Sequence, residues 1–255
     1  MTSWQRRPSG HPLVLGHRGA SALAPENSLE AFARAIADGA DGVELDVLCC
    51  ATGQVMVFHD DDLARLGGRP ERIADLPYAE LRALTLTSGA LIPTLEQALA
   101  VCAPPCLVNV ELKASGVLGG PLAPLVDRVA AIVDRAGASS RVLVSSFHPL
   151  AIFHWRRRAP RIPAGLLFER EGPLALRRPW SIPWLRPLGV HPEAVLCDAD
   201  RVARWHRRGH LVNVWTVDQP ALVQRLAAMG VDGLITNNPA ATRAVLEKDQ
   251  PPDRS

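Results

Sequence analysis

"GVELDVLCC", residues 42–50, decides how this chain folds. Glu44 and Asp46 stand two apart in an otherwise apolar run. Side chains two apart on a strand share one face, so both carboxylates point the same way. "CLVNVELK", 106–113, repeats the arrangement with Glu111 and Lys113. "PLVLGHRG", 12–19, is apolar until it ends at His17 and Arg18 between glycines. Polar groups gathered at the ends of apolar strands are the pattern of a barrel, whose reactive groups collect at the C-terminal ends of its strands.

Working outward, strand-like runs begin near residues 12, 42, 106, 141, 164, 189, 211 and 233, with helical patterns between them. Eight such units in about 250 residues predict a (β/α)8 TIM barrel, an α/β fold. A doubly wound open sheet is the rival, but no glycine-rich dinucleotide turn follows the first strand. The chain reads as one domain over 1–255, with an insertion at about 51–92 after strand two. Within it, "QVMVFHD" (54–60) forms a strand behind a Thr52-Gly53 turn, a polar stretch covers 61–75, and a short helix covers 78–84. The first helix spans 28–39, with Asn27 and Glu30 in the spacing of a capping box. Residues 170–188, rich in Pro, Arg and Trp, carry no readable period. Trp180 and Trp184 in that stretch are expected to pack a loop onto the barrel rim rather than form a lipid-facing lip.

Composition excludes several classes. A net charge of +2 makes no electrostatic case for nucleic acid or an anionic membrane surface. No apolar run approaches the ~20 residues of a membrane span. "MTSWQRRPSG" lacks a secretory apolar core, so a cytoplasmic location without membrane insertion is expected. The five cysteines match no zinc spacing and are expected to be reduced and mostly buried. Only Lys113 and Lys248 are lysines, which singles out Lys113. Nothing in the sequence speaks to oligomeric state.

Carboxylates 44, 46 and 111 converging in a barrel repel one another unless something positive lies between them. Oxygen ligands without a cysteine or histidine triad suit a hard divalent cation, Mg2+ or Ca2+. His17 and His59 stand at polar strand ends near those acids, the placement of a general acid and a general base. Arg18 and Lys113 offer positive charge to an anionic substrate; the alternative for Lys113 is an ion pair with Glu111 or Glu44. Cations, a dication and a proton donor together suit displacement at a small-molecule phosphodiester.

The series "GHRGA…PENSLEAFARAIADGADGVELDV…VMVFHDDDLAR", followed by "IPTLEQAL", "LVNVELK", "SSF", "VNVWTVD" and "GVDGLITNNP", resembles the glycerophosphodiester phosphodiesterases. The resemblance runs from residue 14 to about 240. It implies a TIM barrel with a small insertion after strand two, and metal-dependent hydrolysis of glycerophosphodiesters to sn-glycerol 3-phosphate and an alcohol. It implies Glu44, Asp46 and Glu111 as metal ligands, His17 and His59 as the acid/base pair, and Arg18 and Lys113 on the phosphate. Trp215 would line the pocket against the glycerol carbons. A phospholipase D-like activity on lysophospholipids is the alternative on the same barrel, and would need an apolar ramp from 172–188. The chain departs from the family after "HDDDLAR", where "LGGRPERIADLPYAEL" replaces a Thr-Thr stretch. It departs again at His148, read as a helix N-terminal residue without a catalytic part.

Overall fold

Nine strands form the sheet of the computed structural model, which describes Trp4 and residues 10–113, 122–171 and 182–248. They are β1 (Leu13–His17), β2 (Gly42–Cys49), β3 (Val55–Val57), β4 (Leu107–Leu112), β5 (Val142–Ser146), β6 (Ala164–Phe168), β7 (Gly189–Pro192), β8 (Leu211–Val214) and β9 (Gly233–Thr236). All but β3 run parallel, and the β1–β2 pairing closes the eight into a barrel. This is the expected (β/α)8 architecture. The helices that wrap it are α1 (Leu29–Ala37), α4 (Leu95–Val101), α5 (Leu122–Arg135), α6 (Pro149–Arg158), α8 (Ala199–Arg207), α9 (Pro220–Ala228) and α10 (Pro239–Lys248); α2 (Ala64–Gly67) and α3 (Tyr78–Leu81) belong to the insertion, and α7 (Ile182–Leu185) precedes β7.

Alternation along each strand divides the interior in two. Val43, Leu45, Val47, Val108, Val110 and Leu112 join the main apolar core with helix residues such as Phe32, Leu95 and Val129. Inside the barrel, Leu13, Leu15, Leu107, Leu143 and Ile235 cluster with Trp4. Trp4, 1% exposed, closes the N-terminal end of the barrel. Between this plug and the C-terminal end lie buried polar side chains: Asn109, Ser145, His191 and Asn213. Asn213 Nδ2 donates to His191 Nε2 at 3.1 Å. The imidazole has room because β6 and β7 carry Gly165 and Gly189 beside it, where a Cβ would strike the ring.

Several details differ from the sequence reading. Ser28, not Asn27, caps α1, its hydroxyl accepting from Ala31 N. Asn27 sits in the left-handed region at φ 55 and turns its amide to the barrel, where a carboxylate competes for it. The seventh barrel strand, β8, stops at Val214, just short of Trp215. The polar stretch 61–75 contains α2 and a 3-10 turn, because Leu63 and Ile73 enter a separate apolar cluster with Phe58 and Leu81. Trp180 lies outside the described residues. Trp184 does not pack: it is 84% exposed. His148 stands, as expected, at the N-terminus of α6, which it caps, its Nδ1 accepting from Leu150 N at 3.2 Å. Four cysteines are buried, Cys49 is partly so, and none forms a disulfide. Among the described residues no helix is long and apolar enough to cross a membrane.

Complete burial pushes the His191 imidazole down to about 3 from its ordinary 6.5. Unfolding releases it to take up a proton, so its contribution to stability is full above 6.5 and declines as pH falls from there toward 3. Between about pH 7 and about pH 5 this one group should cost about 2 kcal/mol of unfolding free energy. Urea unfolding of the wild type and His191→Gln at both pH values checks this; equal losses in the two proteins would show that the ring is not buried neutral.

Candidate active site

β1 ends by delivering two side chains at once. His17 is its last residue, and Arg18 follows in the left-handed region at φ 54, a conformation costing a non-glycine residue roughly 1–2 kcal/mol. Gly19, at φ 84, lets the turn pass against the Ala31 backbone, where a Cβ would clash. Asn27 N donates to Arg18 O at 2.9 Å, so the two left-handed residues hold each other. Register does the rest: His17 lies beside Glu44, and Asp46 beside Glu111. β3 doubles back along β2, with Phe58 N donating to Asp46 O at 3.0 Å, which sets His59 over the same end of the barrel. Trp215 follows β8; its Nε1 donates to His191 O at 2.8 Å, and its ring meets Phe147 edge-on at 5.5 Å.

These residues share one cavity of about 330 Å³: His17, Arg18, Glu44, His59, Glu111, Lys113 and Trp215 all line it. Asp46, 1% exposed, lies beneath. Carboxylate oxygens of Glu44, Asp46 and Glu111 all fall within 4.8 Å of one another. Burial, then Asp46 and Glu111, push the Glu44 carboxyl well above its usual range. Burial and the Asp46 charge likewise raise Glu111, against the pull of Lys113. Asp46 is lowered: burial opposes this, but the charges of Lys113, His59 and Arg18 and a hydrogen bond from Asn27 Nδ2 (2.9 Å) outweigh it. Three buried oxygen donors, two of them resisting ionisation, fit a hard dication, which relieves the repulsion that raises them.

Both cations are engaged by acids. Lys113 Nζ lies 3.0 Å from Glu111 and 3.5 Å from Asp46. Arg18 donates through its backbone N to Glu44 Oε2 (3.0 Å), and its guanidinium pairs with Glu26 (2.8 Å) and Asp46 (3.4 Å). The histidines have different partners. His17 Nδ1 lies 2.7 Å from Asn237 Oδ1, while Asn237 Nδ2 donates to Asp218 Oδ2 at 2.6 Å. A carboxylate accepts only, so Asn237 turns its oxygen to His17, and His17 Nδ1 donates. His59 Nδ1 lies 2.6 Å from Asp60 Oδ1. Asp60 is lowered although partly buried, because Arg65 and His59 hold its ionised form. Burial, then the neighbouring Arg18, push His17 below its usual value.

Glu26, Asn27, Asp60, Arg65 and Asn237 hold the site's side chains and Glu169 lines the cavity, although spacing alone gives none of them a part in it. Arg65 of α2 reaches Asp60 Oδ2 (2.7 Å) and both oxygens of Glu26 (2.7 and 2.8 Å), tying the insertion to the loop after β1. The signal for Glu26 and Asn27 was their place in "PEN"; nothing in spacing reveals the Arg65 contacts. Trp184 is absent from this cavity. Its helix α7 lines a cleft with Pro163, Leu188 and His210, which precede β6, β7 and β8, at the opposite pole of the barrel.

The sequence model of the glycerophosphoryl diester phosphodiesterase family matches residues 17–241. The chain is 30% identical, over 89% of its length and 94% of the other's, to a glycerophosphodiester phosphodiesterase of Caldanaerobacter subterraneus subsp. tengcongensis. Among solved structures, it resembles the glycerophosphodiester phosphodiesterase of Thermotoga maritima, with a TM-score of 0.75 and 30% identity over 92% of this chain and 98% of that one. It also resembles an Oleispira antarctica phosphodiesterase solved in complex with the product sn-glycerol-3-phosphate, with a TM-score of 0.83 and 26% identity over 94% and 98% of the two chains. Matched in sequence from the end of the first barrel strand into the last helix and in fold over 92% of its length, the chain belongs to the glycerophosphoryl diester phosphodiesterase family and is a hydrolase of the phosphodiesterase type.

Proposed function

We propose that the protein hydrolyses glycerophosphodiesters to sn-glycerol 3-phosphate and the free alcohol, with His17 as general base and His59 as general acid. The observation that carries this reading is that both imidazoles open onto the same cavity as the Glu44, Asp46 and Glu111 carboxylates. Those three acids would hold Mg2+ or Ca2+, which supplies positive charge to the phosphoryl oxygens when bound. The product complex of the Oleispira relative supports the same substrate half.

The hydrogen bonds support this division of the proton roles. His17 donates from Nδ1 to a neutral amide, and burial favours its neutral form, leaving Nε2 as an acceptor. It takes the proton of the attacking hydroxyl as the new P–O bond forms. His59, braced by the ionised Asp60, gives a proton to the leaving alkoxide as its P–O bond breaks. The scheme balances for water as nucleophile. It balances equally for the glycerol 2-hydroxyl, which yields a cyclic phosphate that water opens with the histidine roles reversed. Arg18 and Lys113 face the diester's anionic oxygens, and Trp215 with Phe147 covers carbon. Glu26, shared by Arg18 and Arg65, and Asp60, shared by Arg65 and His59, join the phosphate-binding and proton-transfer sides into one frame.

A second reading, hydrolysis of lysophospholipids, draws support from a groove on the far side of Trp215, where Ala194, Val195, Ala221 and Leu222 offer apolar surface. The 182–188 part of the expected ramp faces the other pole; residues 172–181 lie outside the described residues.

A panel of glycerophosphocholine, glycerophosphoethanolamine, glycerophosphoglycerol, glycerophosphoinositol and lysophosphatidylcholine, assayed for released glycerol 3-phosphate or choline, tests the proposal. Turnover of the deacylated compounds that chelator abolishes is expected; turnover of the acylated compound alone would replace it with the second reading. His17→Ala and His59→Ala should each lower kcat by about 10²–10⁴. Near-normal turnover in either would remove that residue from the proton transfers.

Mg2+ or Ca2+ should raise the melting temperature of the wild type, by about 2.7 kcal/mol of stabilisation at a hundredfold excess over Kd. Glu44→Gln should lose that response, while its metal-free form melts no lower than the wild type because one repelling carboxylate is gone. A preserved metal response would exclude Glu44 as a ligand.

Arg65→Met should lower kcat on the order of tenfold to a hundredfold by freeing Asp60 and Glu26, with Arg65→Lys intermediate. Thermal melting serves as the control. Unchanged kcat in the methionine variant would show that His59 keeps its aim without the strap.

A further inference from the structure

At the N-terminal pole of the barrel, opposite the catalytic mouth, lies a cleft of about 820 Å³ between the end of α6, helix α7 and the segments leading into β6, β7 and β8. Among the described residues its walls carry four arginines, Arg156, Arg161, Arg186 and Arg208, and no aspartate or glutamate. Among the described residues none of the four is in an ion pair with a carboxylate, whereas Arg158, two residues from Arg156, faces Asp127 at 2.9 Å. Like charges around one concavity repel, and an anion between them removes that cost.

The backbone shows a second sign of use. Arg186 closes α7, its N donating to Ile182 O at 2.8 Å, and sits in the left-handed region at φ 42. Glycine takes that closing position without strain; a side chain there costs roughly 1–2 kcal/mol. The chain nonetheless places a guanidinium at the rim of the cleft. Arg156 donates to Leu185 O, pinning α6 to α7 across the cleft. His210, 8% exposed, forms part of the wall, its ring fixed by Nδ1 donating to Pro187 O at 2.8 Å. His210 is buried, while Arg161, Arg186 and Arg208 stand exposed around it.

We propose that this cleft is a second, non-catalytic binding site for a phosphate-bearing anion. Four planar forks supply more charge than one carboxylate neutralises, and a phosphoryl group's several oxygens can accept from more than one fork. The volume, more than twice that of the catalytic cavity, admits an organic group beyond the phosphate. The phosphate comes either from a soluble ester or from an anionic lipid headgroup. In the second case the 84%-exposed Trp184 on α7 supplies the interfacial side chain.

The test uses the full chain in two arms. In the first, inorganic phosphate is titrated and followed by calorimetry and by the fluorescence difference between wild type and Trp184→Phe. In the second, vesicles of phosphatidylglycerol and phosphatidylcholine, and of phosphatidylcholine alone, are sedimented with the protein. Saturable binding is expected in at least one arm, weakened about tenfold in Arg161→Ala/Arg208→Ala. Hydrolysis of glycerophosphodiesters should stay within about twofold in that variant, since the cleft is remote from the cavity. Arg186→Gly is the second variant: it should melt no lower than the wild type, because glycine relieves the backbone, yet bind several-fold more weakly. A response to free phosphate alone identifies a soluble ligand; a response to phosphatidylglycerol vesicles alone identifies a lipid headgroup. Binding in neither arm, or affinities unchanged in both variants, overturns the proposal.

Discussion

Glu44, Asp46 and Glu111 hold carboxylate oxygens within 4.8 Å of one another where little water reaches them. Like charges so placed are tolerable only where positive charge answers them, and the surrounding structure is arranged to supply it. Lys113 and Arg18 reach in from the strand ends, Asn27 donates an amide, and the Arg18 backbone N–H donates to Glu44. The left-handed residues at 18 and 27 are the local strain accepted to aim those donors. The same electrostatic demand that makes the cluster costly alone makes its three carboxylates a group that could hold a hard divalent cation.

The barrel makes this cluster possible. Period-two alternation sends valines and leucines outward to the helices, so the inward positions near the C-terminal end are released from packing. Trp4 and five aliphatic residues fill the opposite end and carry the inner apolar core there. The insertion is more than decoration on this frame. Its strand β3 pairs antiparallel with β2, and Arg65 ties it back to Glu26, so the His59 side of the cavity is braced against the Arg18 side.

The two poles of the molecule have opposite electrostatic characters. At the catalytic mouth Arg18, Arg65 and Lys113 each have an acidic partner. At the N-terminal cleft four guanidinia have none among the described residues. A net charge of +2 conceals this separation, because it averages an acid-rich pole with an arginine-rich one.

Much of this was legible in the linear sequence. Spacing by two placed Glu44 with Asp46 and Glu111 with Lys113, because strand geometry is local and periodic. The alternation of strand and helix patterns bounded the architecture for the same reason. The chain alone also indicated which imidazoles lie at strand ends. Tertiary structure decided what depends on neighbours distant in sequence. Asn27 reads locally as a cap but is drawn to Asp46, nineteen positions away. Arg65 finds Glu26 across thirty-nine positions, and Asn237 meets His17 across two hundred and twenty. Trp184 reads as a packing residue near the rim, yet closure of the barrel carries it, exposed, to the far pole. A side chain's intrinsic chemistry is written in its type. Its partners are set by where the chain returns, and only the closed barrel determines that.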